Sequence, residues 1–293
     1  MGLRFDLSVL RRLPQLTRLT LFNHESLTDL SFLAALPRLT YLQLWRPVLL
    51  TDLSPLAHAP QLCELELSFA EEVQDFTPLA RLTKLTDLTL SYNNRFDLSQ
   101  LSGMAGLTTL SISSTPVYDA SPLAGLGALT ALTLTGFKGD LETLRGLTGL
   151  RKLNLSGTKT LTRLDPLAGM TDLIDLNLSG TPLQDLSGLA GMTKLRRLEL
   201  PGERGETDLS ALAGLTDLET LWLVRFHALT DLTALAGMHR LKHLSLLLTD
   251  QLTDLSPLSG LSSLRSLSIS ANHQLRDLSG LTGLTGLKSL WIY

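Results

Sequence analysis

Residues 107–117 read Leu107-Thr-Thr-Leu110-Ser-Ile112-Ser-Ser-Thr115-Pro-Val117. Leu110 and Ile112 alternate with small polar residues, and this period of two predicts a short strand with one buried and one solvated face. A tighter kind of segment follows such strands, as in residues 254–264, where leucines recur every three residues. That spacing favours a 3₁₀ turn over an α-helix. Within it, Ser256-Pro257 predicts a helix cap followed by proline at the first helical position, like Ser54-Pro55 and Ser121-Pro122.

The same pattern recurs along the whole chain. The first leucine of each Leu-x-Leu or Leu-x-Ile pair returns every 21–23 residues, at Leu19, Leu42, Leu65, Leu88, Leu110, Leu132, Leu153, Leu176, Leu198, Leu221, Leu244, Leu267 and Leu290. A strand and its return turn are each too short to bury their leucines alone, whereas stacked neighbours bury them together. The sequence therefore predicts one domain, residues 1–293, of about 12 repeats.

The repeat resembles the leucine-rich-repeat family, whose pattern is L-x-x-L-x-L-x-x-N/C-x-L. The phrase Thr-Asp-Leu-Ser-Pro-Leu-Ala-Gly-Leu-Thr-x-Leu, present in variants over residues 51–56, 207–218 and 253–264, is most similar to the short bacterial repeats of internalins. Similar arrays also form the C-terminal sensors of bacterial NACHT-type ATPases. The resemblance implies an α/β solenoid, a horseshoe with a parallel concave sheet of short strands and convex turns of 3₁₀ or short helix.

Two recurring positions differ from the family pattern. One is the loop asparagine, which is often replaced, and the other is an aspartate that the pattern does not contain. The loop asparagine is present only at Asn93 and Asn272, and other residues stand there in the remaining repeats, namely His24, Pro47, Ala70, Thr115, Phe137, Thr158, Thr181, Glu203, Phe226 and Thr249. A threonine hydroxyl can still bond the turn backbone. An aspartate recurs before the turns, at Asp29, Asp52, Asp75, Asp97, Asp119, Asp185, Asp208, Asp231, Asp254 and Asp277, with Arg163 in its place once. We interpret it as an acceptor for backbone donors at the turn entry rather than as a metal ligand.

The composition restricts the classes of function. The chain has 25 basic and 28 acidic residues, which does not suggest a phosphate-tracking surface, so no nucleic-acid partner is expected. It contains no run of about 18 apolar residues, so no membrane span is expected. One cysteine, Cys63, cannot form an internal disulfide and favours a reducing, cytoplasmic compartment.

The sequence contains no strong motif for catalysis or metal binding. The sequence lacks a phosphate loop, a His-Glu-x-x-His segment and a Gly-x-Ser-x-Gly segment. Cys63 has acidic neighbours, which do not favour a reactive thiolate. His239 and His243 are predicted on a turn and on the next strand, so they do not form a zinc pair. We therefore expect no enzyme activity, no metal and no cofactor.

The concave face holds two groups of residues that break its small polar pattern. One consists of Tyr41 and Trp45, near Phe22, beside Glu64 and Glu66; the other consists of Trp222, Val224, Phe226 and Leu247, beside Arg197, Glu199 and His243. Exposed aromatic residues often mark binding surfaces. The alternative is that these side chains cover the ends of the array or pack within widened loops.

These features predict a protein-recognition domain with a protein partner. We expect a sensor or docking domain of a larger cytoplasmic bacterial protein, such as a NACHT-type ATPase of innate immunity. Because neither end carries a cap, the N-terminal edge is expected to dock on a further domain of the same protein. There are two alternatives. The chain could be an internalin-like adhesin, at the cell surface or secreted, or the targeting arm of an enzyme.

Overall fold

The computed structural model describes residues 6–202 and 208–293. Their contacts divide the chain into two compact units, residues 1–135 and 136–293. In each unit, parallel strands alternate with 3₁₀ turns, which confirms the predicted leucine-rich-repeat solenoid. Glu203 lies outside the described residues, and the expectation of a single domain stays a prediction.

The first unit places five-residue and four-residue strands side by side in chain order. These are β1 (Arg18–Phe22), β2 (Tyr41–Trp45), β3 (Glu64–Ser68), β4 (Asp87–Ser91), β5 (Thr109–Ser113) and β6 (Ala131–Leu134). Each strand pairs in parallel with the next, with equivalent residues opposite each other, as Glu64 is opposite Asp87. The strand leucines face inwards, and Leu42, Leu67 and Leu88 are fully buried.

The second unit has the same organisation. Its strands are β7 (Lys152–Asn154), β8 (Asp175–Asn177), β9 (Arg197–Pro201), β10 (Thr220–Val224), β11 (His243–Leu247), β12 (Ser266–Ser270) and β13 (Ser289–Ile292). Each pairs in parallel with the next. Trp222 is opposite Glu199 on one side and Ser245 on the other, as the 23-residue spacing predicts.

The return segments are 3₁₀ helices, as predicted. In the first unit they span Leu7–Arg12, Ser31–Ala35, Ser54–His58, Thr77–Arg81, Leu98–Leu101 and Ser121–Gly125. In the second unit they span Leu141–Leu144, Asp165–Leu167, Ser187–Leu189, Ser210–Leu212, Thr233–Leu235, Ser256–Leu258 and Ser279–Leu281. No helix among the described residues is both long enough and apolar enough to cross a bilayer.

The recurring aspartates cap these turns. Each of the ten predicted aspartates accepts a hydrogen bond from the backbone N–H two residues later, at 2.7–2.9 Å. The prediction for Ser54, Ser121 and Ser256 is wrong in one respect, because each serine begins its 3₁₀ helix rather than capping it. The aspartate two residues earlier supplies the cap, and proline follows at the second helical position.

The chain turns sharply after most strands. The residue directly after the strand has a positive φ at Asn23, Arg46, Phe69, Tyr92 and Ser114 in the first unit, and at Arg225, Leu248 and Ala271 in the second. Gly136, Gly157 and Gly180 also have a positive φ, two or three residues after the ends of the shorter strands β6, β7 and β8. This left-handed conformation costs a residue with a side chain about 1–2 kcal/mol. It directs the next residue, at the family's asparagine position, back into the core.

That buried position forms a polar ladder in places. The Asn93 side chain accepts a bond from Ala70 N–H at 2.9 Å, and Asn93 N–H donates to Thr115 Oγ1 at 2.9 Å. Thr181 donates to the Leu178 carbonyl at 2.8 Å, as expected of a threonine there. Thr158 differs from Thr181, because its buried hydroxyl has no hydrogen-bond partner among the described residues.

Candidate functional site

The outward side chains of the strands form one open surface in each unit, which we call the strand face. Each full-length strand contributes its first, third and fifth residues, because alternate residues point to opposite sides. Small polar residues occupy many of these positions, as Thr109, Ser111 and Ser113 do in β5. Most of the other positions hold charged, aromatic or apolar residues, and the candidate binding residues are among them.

A polar network spans β1 to β3 on the strand face of the first unit. Tyr41 Oη donates to Glu66 Oε1 at 3.0 Å, and Gln43 Nε2 donates to Glu66 Oε2 at 2.8 Å. The Arg18 guanidinium lies 3.8 Å from the centre of the Tyr41 ring, and its Nη1 is 4.0 Å from Glu64 Oε2. The network holds these side chains in fixed positions, and each oxygen of Glu66 already accepts a hydrogen bond.

Tyr41 is less accessible than the sequence predicts. Its exposed fraction is 8 %, because Arg18 covers the ring and Glu66 holds the hydroxyl. Burial, followed by the hydrogen bond to Glu66, raises the pKa of the Tyr41 phenol. The prediction that the Tyr41 side chain is exposed on the concave face is therefore wrong, whereas Trp45 is half-buried and Glu64 is exposed.

Four aromatic rings form a continuous row at the carboxyl ends of β1 to β4, and we call this row the aromatic stack. The ring centres of Phe22 and Trp45 are 6.3 Å apart, those of Trp45 and Phe69 are 4.9 Å apart, and those of Phe69 and Tyr92 are 4.1 Å apart. Phe69 and Tyr92 are nearly parallel, at 7°. The sequence reasoning missed Phe69 and Tyr92, although aromatic residues recurring every 23 or 24 residues are a signal that could have found them.

In the second unit, the structure brings together most of the predicted residues. Trp222 lies between Glu199 and Ser245 in the register, and 37 % of its surface is exposed. Asn177 Nδ2 donates to Glu199 Oε2 at 2.9 Å, and Arg197 Nη1 is 3.9 Å from Asp175 Oδ2. His243 is exposed, whereas Val224 and Leu247 are opposite each other and half-buried.

Phe226 does not belong to this group. It has no exposed surface, so the prediction that it lies on the solvated face is wrong. The chain reverses at Arg225, whose φ is 65°, and this turn sends Phe226 into the core. A Cβ atom built on Gly202 would lie 2.5 Å from Phe226 Cγ, which shows how closely the ring is packed.

The remaining candidates for chemistry are isolated. Cys63 is half-buried, and its thiol donates to the Gln61 carbonyl with Sγ 3.3 Å from the oxygen. Across residues 6–202 and 208–293, no group of three or more His, Cys, Asp and Glu side chains could hold a metal ion. The strand face offers hydrogen bonds, ion pairs and apolar contacts.

Comparison with solved structures relates this arrangement to bacterial repeat proteins. An internalin (inlF) of Listeria monocytogenes is 30 % identical, with a TM-score of 0.78 over 99 % of this chain and 84 % of that chain. A leucine-rich-repeat protein of Leptospira interrogans is 16 % identical, with a TM-score of 0.66 over 96 % and 86 % of the two chains. The functional domain of InlJ from Listeria monocytogenes, which includes a cysteine ladder, is 20 % identical, with a TM-score of 0.57 over 98 % and 60 %.

The last two likenesses concern the fold alone. No family model matches the chain, and no curated protein does.

Proposed function

We propose that this chain, which belongs to the internalin-type leucine-rich-repeat proteins, is a non-catalytic scaffold that recognises another protein through its strand face. The observation that carries the proposal is Trp222, a large apolar side chain that remains 37 % exposed between the polar residues Glu199 and Ser245. Tryptophan is enriched among residues that dominate binding energy. The parallel strands fix its position before binding, which lowers the entropy cost of association.

The residues proposed to contact the partner lie in both units. In the second unit they are Arg197, Glu199, Trp222, Val224, His243 and Leu247, and in the first unit Trp45, Glu64 and Glu66. Tyr41 acts by positioning Glu66 rather than through its own exposed surface.

The test is capture of a partner from a lysate of the native cell, read by mass spectrometry. The parent chain is compared with a Trp222→Ser/Glu199→Arg variant and with Tyr118→Ser, which removes an aromatic residue that is 66 % exposed away from the strands. We expect a specific protein to be retained by the parent and by Tyr118→Ser, and lost from the double variant. Equal capture by all three chains would contradict the proposal.

Two settings for the scaffold are proposed, and they differ in location. One is the sensor or docking domain of a cytoplasmic bacterial protein such as a NACHT-type ATPase, where the array also docks on another domain of its parent. The other is an internalin-like adhesin at the cell surface or in the medium. The 30 % identity to a Listeria internalin supports the adhesin setting. Fractionation of the native cell separates them, since an adhesin is recovered from the wall or medium and a sensor from the cytoplasm.

A further inference from the structure

The first unit carries an arrangement of charge and aromatic surface that points to one kind of partner. We propose that it binds an extended protein segment in which lysine or arginine alternates with apolar residues. The basic groups would lie against Glu64 and Asp87, and the apolar side chains against the aromatic stack. This inference rests on the proposed function and specifies the chemistry of the partner.

The aromatic stack is the apolar half of the proposed site. Its end rings remain accessible, with 49 % of Phe22 and 44 % of Tyr92 exposed. Phe69 and Tyr92 occupy left-handed backbone positions, at φ values of 56° and 57°, where a residue with a side chain is disfavoured. The equivalent position of the next repeat holds Ser114, at φ 51°, so the turn itself does not require an aromatic side chain.

The carboxylates of β3 and β4 are the charged half. Glu64 and Asp87 are directly opposite each other in the register, and like charges in this position are unfavourable in the free protein. A cation from a partner would remove this repulsion. Glu66 lies on the same face, but its two oxygens already accept bonds from Tyr41 and Gln43.

Charge on the strand face of the first unit is unbalanced. Among its outward strand residues, Arg18 is opposed by Glu64, Glu66 and Asp87, and β5 and β6 contribute no charged group. Beyond the strand ends, the exposed Arg46 and Arg95 are matched by the exposed Glu71 and Glu72. The outward strand residues of the first unit therefore carry an excess of negative charge, and charge complementarity favours a basic partner.

The spacing between the two halves fits an extended segment. Glu64 and Phe69 are five residues apart along the chain, or roughly 15 Å at the rise of a strand. A segment crossing the strands over the middle row, which contains Gln43, Glu66 and Thr89, would direct alternate side chains to the carboxylates and to the aromatic stack. Four neighbouring strands span about 14 Å, the length of four or five extended residues.

The experiment is a selection of displayed random 12-residue peptides on the whole chain, followed by affinity measurements with a synthetic peptide of the enriched pattern. Two variants remove the two halves separately. Phe69→Ser/Tyr92→Ser places at both positions the residue that the next repeat already has, and Glu64→Gln/Asp87→Asn removes the paired charges. Tyr118→Ser is the control, Trp222→Ser reports whether a peptide binds the second unit instead, and thermal denaturation shows whether each variant is folded.

We expect the enriched peptides to alternate lysine or arginine with apolar residues. Each double variant should weaken binding at least about fivefold, as expected for dominant interface residues, while Tyr118→Ser leaves it unchanged. Acidic or uncharged peptides, or no enrichment, would overturn the inference. Peptides that depend only on Trp222 would also overturn it while leaving the proposed function intact. Should the aromatic variant not fold, the charge variant still decides, because removing like charges is not expected to unfold the chain.

Discussion

At the scale of single residues, the sharp turn after most strands decides which side chains remain at the surface. The residue at the turn stays near the surface, and the one after it enters the core. Tyr92 and Arg225 are exposed, whereas Asn93 and Phe226 are buried. A shift of one position along the chain therefore separates a surface aromatic residue from a core one.

Replacement of Phe226 by alanine should be among the most destabilising single changes. The ring is fully buried and tightly packed, and loss of such a side chain costs about 3–5 kcal/mol of unfolding free energy. Phe22→Ala is the control, since half of that ring is exposed, and it should cost less than about half as much. Urea denaturation measures both. Similar losses for the two variants would contradict the assignment of Phe226 to the core.

Thr158 and Thr181 form a matched pair for a second test. Both are fully buried at equivalent positions, but only Thr181 donates a hydrogen bond, to the Leu178 carbonyl. Thr181→Val should lower the free energy of unfolding by about 1 kcal/mol, whereas Thr158→Val should raise it by a similar amount, because a buried hydroxyl without a partner is unfavourable. If denaturation gave losses of equal size in both variants, the unpaired hydroxyl would be disproved.

At the scale of the element, the 3₁₀ turns depend on ionised aspartates. Backbone and side-chain hydrogen bonds from Ser54 lower the pKa of Asp52, and Ser121 and Ser256 do the same for Asp119 and Asp254. A carboxyl whose folded pKa is lowered contributes stability that is complete above its unfolded pKa of about 3.9 and is lost as pH falls through the folded value.

We therefore predict that the melting temperature changes little between about pH 7 and pH 5 and falls below about pH 4. A triple variant, Asp52→Asn/Asp119→Asn/Asp254→Asn, retains one acceptor oxygen at each position but cannot titrate. It should melt at a lower temperature than the parent at neutral pH and lose less on acidification. Parallel acid profiles for the two proteins would show that the turn aspartates are not responsible.

The sequence predicts the elements well because each one follows from a local rule. Alternation at Leu110 and Ile112 predicts β5, and the three-residue leucine spacing predicts the 3₁₀ turns. The outward direction of Trp222 follows from the same alternation. By contrast, the burial of Tyr41 on β2 depends on Arg18 of β1 and Glu66 of β3. The pattern of a single repeat does not predict contacts between side chains of three different repeats.

At the scale of the whole molecule, the two units share one repeat but differ in their surfaces. The first unit has the aromatic stack and an excess of carboxylates, whereas the second alternates charges around Trp222. The fold itself was predictable because a dozen similar repeats are compatible with few architectures other than a solenoid. The proposed partner surface was predictable only in part, because the aromatic stack that includes Phe69 and Tyr92 spans four repeats.

Site-specific photocrosslinking in the native cell tests most directly whether the strand face is the recognition surface. A photoreactive phenylalanine analogue replaces Trp222 or Trp45 in two separate chains, and Tyr118 in a third, where the side chain is exposed away from the strands. We expect a discrete crosslinked protein from position 222 or 45, and none from position 118. Crosslinks from position 118 alone would show that the partner does not bind the strand face.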